Sequence, residues 1–147
     1  MRIYITLSWS DLPALVRDRE VKAPASAYAV TATLRAVADT DDEEELEEFA
    51  RALAADAGVL SGFARPCVLA VDAAADSVSA LEGGDADPGE VVLHATVPFS
   101  RIAAVLVSEK HVTGTPVPGD EIDLLWFAPQ EIEGLLADVT GGSTPGE

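Results

Sequence analysis

One long amphipathic helix is the strongest pattern in the sequence, and it limits the folds open to the chain. Thr40 and Glu43 match the S/T-x-x-E capping box, and further acids in the first turn favour the positive end of the helix dipole. The pattern predicts a helix that begins after Thr40 and ends between 58 and 62, with one stripe buried against another layer. Its apolar residues recur at three- and four-residue spacing: Leu46, Phe49, Ala50, Leu53, Ala57 and Leu60.

Short apolar segments on both sides of this helix predict β-strands. The first, Arg2 to Leu7, alternates apolar and polar residues, which is typical of a strand with one buried face. Further helices are predicted from Leu12 to Val16 and from Pro129 onward, a helix could begin at 33–37, and 76–89 and 111–120 are predicted loops. The other predicted strands are 27–33, 67–71, 91–97, 103–108 and 122–127, of which the last is apolar on both faces, as expected of an interior strand.

This order of elements predicts an α+β fold in two layers. We expect a mixed sheet of about five or six strands, with helices mainly on one face. A chain of 147 residues fits one domain, which we place at 1–139, and 140–147 is expected to be a disordered tail.

The excess of acidic residues restricts the classes of partner that we expect the protein to bind. The chain carries 26 acidic residues against nine Lys and Arg, a net charge of −17. This charge repels phosphate backbones, so no nucleic-acid binding is expected, and it favours a basic protein partner. No membrane segment or signal peptide is evident, and the single cysteine suits a reducing compartment, so the expected location is the cytoplasm.

The acids are densest at 39–48, where eight of ten residues are Asp or Glu. This run could bind a cation, dock a basic protein or imitate a nucleic-acid backbone, but a solvated helix start explains it as well. Since the ligand spacing of an EF-hand loop is absent, we expect neither a metal nor a cofactor here.

No catalytic motif is evident in the sequence. His94 and His111 lack metal-ligand spacing, although His94 could join carboxylates such as Asp72, Asp120 or Asp123 in a metal or acid–base site. Cys67 begins an apolar strand without a neighbouring base, which favours a core thiol over a nucleophile. The serines lack a G-x-S-x-G elbow, and the glycine pairs fit no phosphate-binding loop.

Aromatic side chains provide the remaining candidates. Trp126 and Phe127 lie on an apolar strand, so we expect them in the core. Trp9 stands at a break between strand and helix, where it either covers the edge of the core or, if exposed beside Tyr4, anchors an interface. The candidate interaction surface therefore comprises Tyr4, Trp9, Glu44, Glu45 and Glu48.

Two short motifs resemble those of a small uncharacterised family of actinobacterial proteins. The opening residues Arg2 to Ile5 resemble its R-[IV]-Y-[IV] strand, and Leu124 to Glu131 resemble its L-L-W-[FY]-A-x-Q-E ending. The resemblance implies a stand-alone cytoplasmic domain and brings no activity with it. The preferred hypothesis is a non-enzymatic interaction or regulatory module; the alternatives are a small enzyme or metal-binding protein using His94, and a nucleic-acid mimic using 39–48.

Overall fold

Nine strands, four α-helices and three short 3₁₀-helices lie in the part of the chain that the computed structural model describes, residues 1–63, 65–81, 86–108 and 124–141. The helices are α1 (Leu12–Asp18), α2 (Ala32–Val37), α3 (Glu43–Leu60) and α4 (Pro129–Gly141). The strands are β1 (Arg2–Ser8), β2 (Glu20–Val21), β3 (Ala25–Tyr28), β4 (Pro66–Asp72), β5 (Val78–Ala80), β6 (Glu90–Leu93), β7 (Val97–Pro98), β8 (Ile102–Ser108) and β9 (Leu124–Phe127).

Seven of these strands form one sheet in the order β5-β6-β3-β1-β4-β8-β9. Each pairing in this sheet is antiparallel, and β2 pairs with β7 in a separate two-stranded sheet. The α+β class is confirmed. The sheet differs in detail from the prediction, because it has seven strands rather than five or six and its described pairings are not mixed. The three-residue strand β5 lies within the predicted loop 76–89, since so short a strand shows no alternation.

Helices cover both faces of the sheet, which differs from the expected two layers with helices mainly on one face. Side chains alternate along β1, so Ile3 and Ile5 join the core under α1 and α4, whereas Tyr4 joins the core under α2 and α3. The neighbouring strand β4 is buried from Pro66 to Val71, which explains its continuous apolar sequence. Both faces of the central strands are apolar, and each therefore requires its own cover.

The predicted long helix is present as α3, with a different cap. Asp42 is the N-cap, and its carboxylate accepts a hydrogen bond of 2.9 Å from the backbone N–H of Glu44. The Thr40 hydroxyl instead accepts a bond of 3.1 Å from the N–H of Asp42. The predicted cap is thus two residues too early, while the end at Leu60 lies within the predicted range.

The prediction that 122–127 forms an interior strand is wrong for its described part. β9 is the last strand of the sheet and pairs only with β8 among the described residues. Trp126 is 61% exposed and Leu125 is 41% exposed, so Trp126 is not a core residue, whereas Phe127 packs against the core under α4. An apolar sequence on both faces indicates a strand, but strand order depends on contacts distant in sequence.

The predicted strand 27–33 is divided between two elements. β3 ends at Tyr28, and the Thr31 hydroxyl accepts a 3.1 Å hydrogen bond from the N–H of Leu34 to cap α2. The helix alternative for 33–37 is therefore confirmed. The predicted loop 111–120 and residues 142–147 of the expected tail lie outside the described residues, so the tail and the single domain stay predictions. Within the described ranges, no helix has the length and apolar character needed to cross a membrane.

Candidate functional site

The five residues of the predicted interaction surface lie in three different places. Tyr4 is only 3% exposed and packs under α3, where burial, followed by the charge of Glu47, raises the pKa of its phenol. Trp9 lies on the opposite side of the sheet, partly buried against the core under α1. The structure therefore does not form the exposed edge of Tyr4 and Trp9 that the sequence suggested, because the two side chains pack against different cores, one on each face of the sheet.

Trp9 has a local partner that accounts for its position. The guanidinium carbon of Arg65 lies 4.2 Å from the centroid of the indole ring, and Arg65 Nε donates a 3.1 Å hydrogen bond to the carbonyl of Ser108. Arg65 thus joins the end of β1 to the end of β8. This arrangement places Trp9 over the edge of the core.

Glu44, Glu45 and Glu48 are exposed on the first turns of α3. Glu48 lies 3.6 Å from the guanidinium of Arg51, and Glu43 pairs with Arg35 of α2. The acids at this end complement the helix dipole. Their position alone therefore does not distinguish an interaction surface from an ordinary helix start.

A more specific feature lies along the outer edge of α3. Phe49 is 47% exposed and Leu60 is 71% exposed, although the helical spacing had placed both in the buried stripe. The side of α3 that meets the sheet instead carries small residues at Ala54, Ala55 and Gly58, which let the helix approach closely. The wide apolar pattern therefore covers two surfaces, one buried and one exposed.

We call this outer edge the α3 flank, which consists of the exposed residues Glu45, Phe49 and Leu60 and the half-buried residues Leu53 and Asp56. Each of these residues follows the previous one by three or four positions, so their side chains form a row on one side of the helix. The row is about 22 Å long, from the helical rise per residue. It is apolar apart from a carboxylate at one end and another within it.

Asp56 is the unusual member of the α3 flank. Burial raises the pKa of its carboxyl group, because the charged form loses part of its hydration there. None of the ion pairs among the described residues includes Asp56. The only base of α3, Arg51, pairs with Glu48 instead. Within the described ranges, the flank thus contains a partly desolvated carboxylate that is in no ion pair.

Replacing Asp56 by Asn is expected to stabilise the protein at neutral pH. The raised pKa means that the folded state binds a proton more readily than the unfolded chain, which titrates near 4. The charged form therefore lowers stability above that pH, by about 0.5 kcal/mol at a partly solvated site. Thermal unfolding should show a higher Tm for Asp56→Asn at pH 7 and little difference below pH 4. Exposed Asp39→Asn is the control, and an equal rise there would contradict the explanation.

The residues of the metal or acid–base alternative are not brought together. His94 is exposed, with its Nε2 atom 2.9 Å from the hydroxyl of Ser79, whereas Asp72 accepts a 2.7 Å bond from Arg2. Among the residues that the structure describes, no group of three His, Cys, Asp or Glu side chains could hold a metal ion. His111, Asp120 and Asp123 lie outside the described residues.

Cys67 is buried, as the sequence indicated. It is 0% exposed on β4, and burial raises the pKa of its thiol to about 12. A thiol with this pKa has almost no thiolate at neutral pH, so it is a poor nucleophile.

The α3 flank is the feature that sequence reasoning missed. The sequence does contain a sign of it, because the apolar stripe of α3 is too wide for one buried face and has Asp56 among its apolar positions. Distinguishing the two surfaces requires the orientation of α3, which the small residues on its inner side determine.

Comparisons with other proteins identify a family but no characterised relative. Neither the curated proteins nor the solved structures include a match to this chain. A family model described as "Family of unknown function (DUF6912)" matches residues 1–136, which include both motifs of the resemblance seen in the sequence. Because the match covers 136 of 147 residues, the chain belongs to this family of unknown function.

Proposed function

We propose that this protein is a non-enzymatic interaction module, which binds a basic segment of a partner protein along the α3 flank. The observation that carries the proposal is the exposure of Phe49 and Leu60 on the same side of α3 as Asp56, whose carboxyl group is partly buried. A cation from a partner would offset its desolvation, while apolar side chains of the partner cover Phe49 and Leu60. The segment that fits is an amphipathic helix with Lys or Arg beside its apolar residues.

The acidic surroundings favour the same partner. Glu45 extends the flank at its N-terminal end, and Glu44 and Glu48 are exposed nearby on α3. With a net charge of −17, the protein attracts basic partners at long range and accelerates their association. The apolar row then supplies the specificity that charge alone lacks.

The proposal also concerns location and source. We place the module in the cytoplasm of an actinobacterium. The single cysteine, with no disulfide partner in the chain, supports a reducing compartment, and the motif resemblance supports the source.

A labelled peptide tests the proposed binding. The probe is a helical peptide of about 15 residues, matching the length of the flank, with Leu at helical spacing and Lys beside it. Fluorescence anisotropy should give a dissociation constant in the micromolar range that weakens as salt screens the charges. The double variant Phe49→Ser with Leu60→Ser is expected to weaken binding at least about tenfold, because it removes the apolar contacts.

Matched controls separate the flank from general acidity. Leu81→Ser changes another exposed leucine and should leave binding unchanged. Asp56→Asn should weaken binding even though it stabilises the free protein, which is a pair of effects that unfolding cannot produce. If replacing Glu44 and Glu48 by Gln abolishes binding while the Phe49 and Leu60 variants do not, the proposal is wrong and the nucleic-acid mimic is favoured. Absence of binding at low salt would also overturn it.

A further inference from the structure

Arg101 differs from the other described basic residues in having no partner. The structure describes eight of the nine Lys and Arg residues. Six of the eight are in ion pairs with Asp or Glu, and Arg65 contacts the ring of Trp9 and the carbonyl of Ser108. Among these described bases, Arg101 alone has no ion pair, hydrogen bond or aromatic contact through its side chain. Its guanidinium is therefore available to bind a carboxylate from outside the chain.

Arg101 lines a cavity of about 460 Å³, a volume that is ordinary for a small-molecule site. The residue ends the 3₁₀-helix Phe99–Arg101, which directly precedes β8. Asp76 also lines the cavity, from the 3₁₀-helix Ala75–Ser77 that follows β4. Within the described ranges, no ion pair includes the carboxylate of Asp76. Two unpaired charges of opposite sign therefore line one cavity without pairing with each other.

The rest of the lining is mostly apolar. Ala73 and Val97 line the cavity and are buried members of the core under α1 and α4. Asp72 lines it too, but its carboxylate already accepts a 2.7 Å hydrogen bond from Nε of Arg2. Asp76 is thus the carboxylate that remains available to a ligand. A ligand that fits this lining combines charged groups with an apolar part.

Backbone hydrogen bonds hold both 3₁₀-helices in place. At the start of one of them, the N–H of Phe99 donates a 2.9 Å bond to the carbonyl of Arg19. In the other, the N–H of Ser77 donates a 2.9 Å bond to the carbonyl of Ala74, and the carbonyl of Ser77 accepts a 2.7 Å bond from the N–H of His94. The two free charges therefore extend from an ordered backbone, so that binding requires little further ordering of the chain.

The charges of the protein restrict the class of ligand further. A net charge of −17 opposes the approach of a ligand that is only anionic. A ligand that is only cationic would be repelled by the unpaired guanidinium of Arg101. A zwitterion avoids both penalties, because its carboxylate pairs with Arg101 while its ammonium group pairs with Asp76.

We propose that the cavity lined by Asp76 and Arg101 binds a small zwitterion with an apolar side chain, of the class of the aliphatic α-amino acids. The carboxylate of the ligand pairs with Arg101, its ammonium group pairs with Asp76, and its side chain packs against the apolar lining. This site is separate from the α3 flank and does not depend on it, since no residue of the flank lines the cavity.

Three compounds with the same isobutyl group are the probes for this site. L-Leucine carries both charges, isocaproate lacks the ammonium group, and isoamylamine lacks the carboxylate. Titration of isotope-labelled protein with leucine should give saturable chemical-shift changes at the amides of Ser77, Thr96 and Arg101, which line the cavity. The other two compounds should bind at least about tenfold more weakly, because each loses one charged hydrogen-bonded pair.

Two charge variants assign each end of leucine to its partner. Arg101→Gln should weaken binding of leucine at least about tenfold without weakening that of isoamylamine, which has no carboxylate to lose a partner. Asp76→Asn should weaken binding of leucine by a similar factor without weakening that of isocaproate. Arg17→Gln is the matched control, because Arg17 is an exposed arginine that does not line the cavity, and it should change none of the three.

A further variant tests whether the ligand occupies the cavity itself. Ala95 is an exposed residue of the lining, so Ala95→Trp should fill the cavity and weaken leucine binding, with an unchanged circular dichroism spectrum to confirm folding. The Phe49 and Leu60 variants should bind leucine normally, so failure at the flank and failure here are distinguishable. Equal binding of leucine and isocaproate, leucine binding that is insensitive to Arg101→Gln, or the absence of saturable shifts at the cavity amides would overturn the proposal.

Discussion

Adding one methyl group at Gly58 is expected to destabilise the protein by about 1–3 kcal/mol, as overpacking does in other proteins. A Cβ atom built there would lie 2.7 Å from the Cβ of Pro66 and 3.1 Å from a methyl carbon of Thr6. The proline ring belongs to the central strand β4 and cannot rotate away. Helix α3 would have to lift from the sheet, which opens the core beneath it.

Gly134 provides the matched control for this substitution. It lies in α4, and a Cβ atom there would have no neighbour within 4 Å. Alanine is favoured over glycine within a helix by about 1 kcal/mol, so Gly134→Ala should stabilise the protein. Urea unfolding of both variants measures the difference, and a stabilised Gly58→Ala protein would contradict the close contact between α3 and β4.

The packing of α3 on β4 also illustrates which parts of the fold could be predicted from the sequence. The length and end of α3 follow from local spacing, so the prediction located them well. The face that α3 buries depends on Ala54 meeting β1 and Gly58 meeting β4, which are contacts between elements. Sequence spacing therefore placed Phe49 and Leu60 in the core, although both are exposed.

Strand positions show the same limit. The alternating residues of β1 and the apolar run of β4 each indicate a strand without reference to the rest of the chain. The order of strands does not follow from such patterns, so β9 was expected in the interior although it is at the edge. The unequal ladders of β3 were also not predictable, because β3 pairs with β1 at two positions and with β6 at four.

The net charge predicted a basic partner but could not locate a surface. The run 39–48 is the densest acidic segment, yet its members cap α3 or complement its dipole. Asp56, a single acid outside that run, is more informative because its neighbours desolvate it. This difference depends on how deeply one particular carboxylate is buried, and the amino-acid composition carries no information on that burial.

The thiol of Cys67 is expected to react at least about 1000-fold more slowly in the native protein than in denaturant. It is 0% exposed, and burial raises its pKa to about 12, so the folded protein offers a thiol reagent neither access nor thiolate. Reaction therefore requires an opening of the structure, whose free energy sets the protection. The measurement is the rate of modification by a chromogenic disulfide at pH 8, with and without urea.

The urea dependence of this modification rate distinguishes a local opening of β1 from global unfolding. Cys67 is paired with Leu7 on β1, one residue before that strand ends at Ser8. If β1 separates from β4 only at this end, modification will depend weakly on urea and proceed faster than global unfolding allows. Rapid modification in the absence of urea would contradict the burial of Cys67, whereas protection equal to the global stability would show that this end of β1 does not open separately.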